Sequence, residues 1–175
     1  YFGNAATYFA LPLPERRLTV TATSEVEVVA PRPGDALPAS SPWDEVGERL
    51  GEGGAPNLLE ARELVLDSPL VERSPELRDL ALPSFPPERP LFEAVADLMR
   101  RIHAEFRYDP SSTTIETSLF EVLEQRRGVC QDFAHLAIGC LRSLGLAARY
   151  VSGYVESLAE DGSRPTTGGD ASHAW

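Results

Sequence analysis

The sequence predicts an α+β chain, on three observations. Extended-chain signals gather near the start, helical signals run through the middle, and a second extended stretch follows the strongest helix. Elements segregated in this way build helices against a sheet. The first observation is the alternation of Leu18, Val20 and Ala22 with Thr19, Thr21 and Thr23, followed by the β-branched stretch from Val26 to Val29; the whole strand region is read over residues 1–29, broken by Pro12 and Pro14. The second is a pair of apolar stripes at helical spacing. Leu91, Val95, Leu98, Ile102 and Phe106 mark one helix from Pro90 to Phe106, and Val129, Phe133, Leu136, Ala137, Cys140, Leu141 and Leu144 mark another from Cys130 to Leu144. The third is alternation from Ala147 to Val155, with Arg149, Val151, Gly153 and Val155 on one face and Ala148, Tyr150, Ser152 and Tyr154 on the other, as expected of a central strand.

Composition removes several classes of function. The chain has 175 residues, 42% hydrophobic and 25% charged, enough to bury a real core. A net charge of -11 with no basic stripe argues against a nucleic-acid partner. The longest apolar runs are a few residues, far below the roughly 20 that cross a bilayer, so no membrane partner is expected. Residues 1–10 carry neither the basic start nor the apolar centre of a secretory signal, and a cytoplasmic location is the expectation. The two cysteines are too few for a disulfide framework or a double-knuckle zinc site. On one helix, with about 1.5 Å rise per residue, Cys130 and Cys140 lie roughly 15 Å apart, whereas a disulfide needs Cα atoms within about 7 Å. Cys140 falls on the apolar stripe and reads as a core residue. No G-x-G-x-x-G, P-loop or H-E-x-x-H motif occurs, so no cofactor and no metal are expected.

Between the strand region and the helices, residues 31–41 contain Pro31, Pro33, Gly34 and Pro38, a linker composition that divides residues 1–30 from 42–175. Beyond it Ser41 and Pro42 read as N-cap and first-turn proline of a helix with Trp43, Val46 and Leu50. A second short helix fits Leu58 to Val65, and a third starts at Ser74-Pro75 and runs through Leu80. Pro83 to Pro90 is a proline-rich turn. His103, beside the Pro90–Phe106 stripe, reads as a structural or surface histidine. Ser118 and Glu121 form a capping box for a helix through Gln125, which Gly128 is expected to end. Residues 156–170, rich in Gly, Ser, Thr and acids, read as an exposed loop of the kind that bounds a site, before a strand that opens at Ala171.

Arg127 to Tyr154 is the most legible stretch. Gly145 closes its helix, and Cys130 sits in the first turn, where backbone amides and the helix dipole favour a thiolate. His135 lies about 140° round the helix from Cys130 and reads as structural. Asp132 is placed to favour the helix N-terminus. G-V-C-Q-D-F-A-H-L, L-G-L-A-A-R-Y-V-S-G-Y and the late A-S-H-A-W together resemble the core of the bacterial transglutaminase-like superfamily. The F-G-N near the start resembles the end of that family's β-rich N-terminal region, and F-R-Y-D-P the segment before its catalytic helix.

The resemblance implies a papain-like or transglutaminase-like core, a catalytic helix packed on an antiparallel sheet, preceded by part of the β-rich region. It implies Cys130 as nucleophile and His173 as its base. The family's orienting aspartate, the third member of a Cys-His-Asp triad, would follow beyond Trp175. Both ends are accordingly expected to be cut, and a chain ending there is expected to be nearly inactive. An imidazole beside a thiol stabilises the reactive thiolate-imidazolium pair, the chemistry Cys130 and His173 would supply. The Cys130 backbone amide is the first oxyanion donor; Gln131 and Tyr108 are candidates for the second.

The expected function is that of a cysteine protease, amidohydrolase or acyltransferase on a protein or peptide amide. It would act through a thioester, with hydrolysis favoured over crosslinking. A non-catalytic protein-interaction module retaining the fold is the alternative. Oligomeric state is left open.

Overall fold

A computed structural model describes residues 5–10, 17–21, 23, 27, 38–52, 58–112, 117–153 and 173–175. The chain divides into two compact units, Tyr1–Ala30 and Pro31–Trp175. In the first, the described residues are exposed. The remaining residues of the expected strand region, most of the expected linker and the loop at 156–170 lie outside the described residues.

The second unit contains the helices α1 (Trp43–Gly51), α2 (Leu59–Glu63), α3 (Pro75–Ala81), α4 (Leu91–Glu105), α5 (Leu119–Gln125) and α6 (Cys130–Ser143). Its strands are short: β1 (Arg107–Tyr108) runs parallel to β2 (Arg127–Gly128), and β3 (Ser152–Gly153) runs antiparallel to β4 (His173–Ala174). The start signals at α3 and α5 act as written. The Ser74 hydroxyl accepts the Leu77 N–H at 3.2 Å, and Ser118 and Glu121 bond reciprocally, at 3.3 Å to the Glu121 N–H and 2.9 Å from the Ser118 N–H.

The start of α1 differs from expectation, because Pro42 itself occupies its N-cap. The serines before it serve α4 instead: the Ser40 hydroxyl accepts the Phe92 N–H and the Ser41 carbonyl accepts the Leu91 N–H, both at 3.0 Å. Trp43 answers by donating its indole N–H to the Pro86 carbonyl at 2.9 Å and packing edge-on against Phe85. The two helix starts are thereby stitched together.

α6 is the centre. It packs against α3, α4, α5 and β4, and it buries Ala134, Ile138 and Gly139 as well as the expected Leu136, Ala137 and Cys140. A helix enclosed on several sides has no single stripe, so the one-face reading is corrected to burial almost all round. Gly139 permits the close approach, since a Cβ there would lie 2.9 Å from Leu77 Cδ1 and 3.1 Å from Leu119 Cδ2. At the C-terminus, Gly145 takes φ +80°, its N–H reaches the Arg142 carbonyl, and the Leu146 N–H reaches the Leu141 carbonyl. That is a Schellman ending of the kind a glycine permits.

Between α5 and α6 the expected tight turn is replaced by β2. Arg126, at φ 53°, ends α5 rather than Gly128. A left-handed arginine is unfavourable on its own. Here the guanidinium stacks over Phe106 at 4.8 Å and bonds Glu105 at 2.7 Å, interactions that hold the turn. The segment after α6 is also shorter as strand than expected. Val151 and Trp175 exchange backbone bonds at 2.9 Å, but the Ala148 N–H goes to the Leu64 carbonyl, so the earlier residues leave the ladder. Among the described residues β3 has β4 as its neighbour, where a central strand would have two.

Leu98 of α4 is fully enclosed, whereas the adjacent Met99 is 43% exposed. Leu98→Ala should cost about 2–5 kcal/mol and Met99→Ala within about 0.5 kcal/mol, read from urea midpoints at constant slope. Equal losses would contradict this orientation of α4.

Candidate functional site

The approach to Cys130 is built by hydrogen bonds on both sides of Gly128. β2 is pinned to β1 by the Arg107 N–H to the Arg126 carbonyl at 2.8 Å and the Asp109 N–H to the Gly128 carbonyl at 2.9 Å. Val129 then occupies the N-cap of α6 in extended conformation and has no polar side chain to cap the helix. Asp132 compensates. Its carboxylate turns back to accept the Val129 N–H at 2.8 Å and is 4% exposed. Gly128 is the residue that allows this, because a Cβ at that position would stand 2.7 Å from the Asp132 Oδ2. Asp132 therefore serves the helix start, as the sequence suggested.

Cys130 is the first residue of α6 and is partly exposed; Cys140 is free and fully buried. Burial pushes the Cys140 thiol up to about 12, which leaves it protonated and inert. β4 packs on α6, so the strand carrying His173 lies beside the helix carrying Cys130. His173 is opposite Gly153 in the ladder and half-buried. Trp175 covers Gly153 so closely that a Cβ there would meet its Cζ3 at 2.8 Å. Of the oxyanion candidates, Gln131 follows Cys130 on α6, whereas Tyr108 is exposed on β1, paired with Gly128. His103 is at the surface.

One feature went unread in the sequence. A cavity of about 420 Å³ is lined by Gln131, His135, Ile138 and Arg142 of α6, by Tyr150, and by the turn Ser68 to Val71. The helix residues recur at steps of four, three and four, a polar-edged stripe that spacing alone could have exposed. His135 packs against Tyr150 with ring centroids 5.2 Å apart. Its imidazole is held below the ordinary value by burial, with Asp132 opposing and Arg142 adding to the effect. Burial also raises the Tyr150 phenol, and a negative charge on Cys130 would raise it further. Arg142 is nearly enclosed, with bonds to the Ala148 carbonyl at 2.9 and 3.3 Å and to the Ser68 hydroxyl at 2.9 Å. Among the described residues no group of three His, Cys, Asp or Glu side chains could hold a metal, and no helix is long and apolar enough to cross a membrane.

The family model of the transglutaminase-like superfamily matches residues 80–175, more than half of the chain. The chain belongs to that superfamily. Uncharacterized proteins of Mycobacterium tuberculosis and Mycobacterium bovis are each 47% identical to it over 176 residues, covering 99% of this chain and 54% of theirs. One from Mycobacterium leprae is 31% identical over 175 residues, covering 59% of its own length. The chain thus spans about half the length of the curated relatives it matches. A crystal structure of a candidate cysteine protease from Cytophaga hutchinsonii is similar with a TM-score of 0.54 and 28% identity, over 69% of this chain and 39% of that one. The transglutaminase-like, α+β fold expected from the motifs is therefore the fold of this chain.

Two measurements follow from this geometry. Iodoacetamide should label Cys130 at least about tenfold faster than Cys140 in the folded protein, since reactivity follows exposure and thiolate content. Peptide mapping reads the ratio, and comparable labelling would contradict the assignment of exposed and buried thiols. For His135, the folded value lies below the unfolded 6.5, so between the two the unfolded chain binds more protons. Its stabilising effect is present above that unfolded value and is lost as pH falls through the folded one. His135→Gln should flatten the dependence of the urea midpoint on pH across that window; an unchanged slope would assign the dependence elsewhere.

Proposed function

We propose that this transglutaminase-like chain is a thiol enzyme acting on amide bonds of proteins or peptides, with Cys130 as nucleophile and His173 as its acid and base. The observation that carries the reading is the position of Cys130: partly exposed at the first residue of α6, on a helix start pinned by β2 and Asp132, and on the helix that β4 packs against. First-turn amides lack intrahelical acceptors and point along the axis, so they favour negative charge as it develops there.

In the reaction, the Cys130 sulfur attacks the amide carbonyl carbon and the oxygen takes the negative charge, facing the Cys130 amide with Gln131 as the nearer candidate for a second donor. The tetrahedral intermediate collapses as the His173 imidazolium gives its proton to the leaving nitrogen, so the C–N bond breaks and a thioester remains. His173 then takes a proton from water, the hydroxide adds to the thioester, and the carboxylic acid leaves as the thiolate returns beside the imidazolium, the acid then losing its proton to solvent. An amine in place of water would give crosslinking. The likeness to a candidate cysteine protease supports hydrolysis as the main outcome. The reading also calls for an acid that orients His173.

The test combines trapping and turnover. Incubation with an activated ester should leave an acyl group on Cys130 that mass spectrometry detects and that Cys130→Ala abolishes. In a longer polypeptide carrying the strand after β4, hydrolysis of peptide amides should be on the order of 10⁴ faster than in the present chain, the scale of losing a triad orienter. His173→Ala there should lower turnover about 10²–10⁴-fold. If the longer protein shows no acyl-enzyme and no turnover across a broad amide panel, a binding module is the correct reading.

A further inference from the structure

We infer that the cavity beside Cys130 is a specificity subsite that takes an apolar side chain on the acyl side of the scissile amide. The inference rests on the thiol-enzyme reading and deepens it by naming a substrate class. Three observations carry it. The first is continuity: Gln131, the residue after the nucleophile, forms part of the cavity wall.

The second is the chemistry of the walls. Pro69, Leu70, Val71, Ile138 and the Tyr150 ring are apolar. The cation in the wall, Arg142, is 7% exposed, with donors committed to Ala148 and Ser68. An acidic side chain entering here would lose its hydration and meet few donors, whereas an apolar one would lose nothing by leaving water. The volume of about 420 Å³ is within the roughly 300–1,000 Å³ usual for ligand pockets and admits a branched or aromatic side chain.

The third is a rigid mount for an exposed leucine. Ser68 and Val71 exchange both backbone bonds, at 3.0 and 2.9 Å, closing a turn with Pro69 and Leu70 at its tip. Asp67 clamps the base of that turn through the Arg73 N–H at 3.0 Å and the Arg73 guanidinium at 2.8 Å. Leu70 is nevertheless 60% exposed. A leucine held on a pinned turn at a cavity rim adds apolar surface where a substrate would cover it, and rigid mounting lowers the ordering cost of binding.

Chloromethyl ketones read the subsite without turnover, since the Cys130 sulfur displaces chloride and forms a thioether. Labelling of Cys130 by acetyl-Leu-Leu, acetyl-Gly-Gly and acetyl-Glu-Glu chloromethyl ketones is compared in the 175-residue chain, each rate divided by the iodoacetamide rate of the same protein. The Leu-Leu reagent should react at least about tenfold faster than Gly-Gly, the scale of filling an apolar pocket, and Glu-Glu should be slowest. Leu70→Glu should erase most of the Leu-Leu advantage and Leu70→Met should keep it; Leu70 is exposed, so both should fold. Equal rates for Leu-Leu and Gly-Gly, or a preference that Leu70→Glu leaves intact, overturns the subsite while the nucleophile stands. If neither iodoacetamide nor any ketone labels Cys130, the thiol-enzyme reading fails and the subsite falls with it.

Discussion

The bond from the Val129 N–H to the Asp132 carboxylate is the constraint on which the site depends. Valine cannot cap a helix with its side chain, so the start of α6 would be poorly defined without a group from the third helical position. Asp132 supplies that group from a nearly buried position, and it fits because Gly128 has no Cβ to obstruct it. Gly128 in turn is held by Asp109 of the β1 side. The result is a thiol whose backbone is fixed from both directions while its side chain stays partly open. The thiol chemistry we propose would need a nucleophile that is fixed without being buried, and local hydrogen bonds rather than bulk around the sulfur hold the Cys130 backbone.

Most of the helices could be read from the sequence because their signals are local. Ser74, the Ser118–Glu121 pair and Gly145 each act through groups within a few residues, so their identity nearly determines their geometry. The burial of Cys140 was equally legible, since it falls on the apolar stripe of α6. Where the reading failed, the deciding partner was remote. Ser40 and Ser41 have the composition of a cap for α1, yet their acceptors serve α4, about fifty residues away. Gly128 was read as a helix stop, a role that needs only a free backbone; its actual task, making room for Asp132, depends on the fold of the next turn.

The candidate site divides in the same way. Cys130 and His173 stand in motifs, whereas the cavity that begins at Gln131, the residue after Cys130, is assembled from the Ser68–Val71 turn, the α6 stripe and Tyr150, which no local pattern connects. His135 illustrates the difference. Its angle round the helix from Cys130 follows from helix geometry, but that angle says nothing about the wall on the other side. Tyr150 supplies that wall, preceding the ladder just closely enough to pack its ring on His135.

Arg142 explains how that wall is kept in place. Enclosing a guanidinium is costly unless its donors are satisfied, and among the described residues it forms no ion pair close enough to offset its charge directly. It is satisfied by geometry instead. Two donors converge on the Ala148 carbonyl, two residues before Tyr150, and a third reaches Ser68 at the opposite rim of the cavity. Asp67, beside that serine, adds longer-range attraction. A lysine could satisfy one rim or the other, but its ammonium lacks the planar fork that spans both. One buried cation thus ties the end of α6, the strand approach and the cavity turn into a single frame. The cost of burying it is offset by the fixed spacing it imposes between the walls of the site.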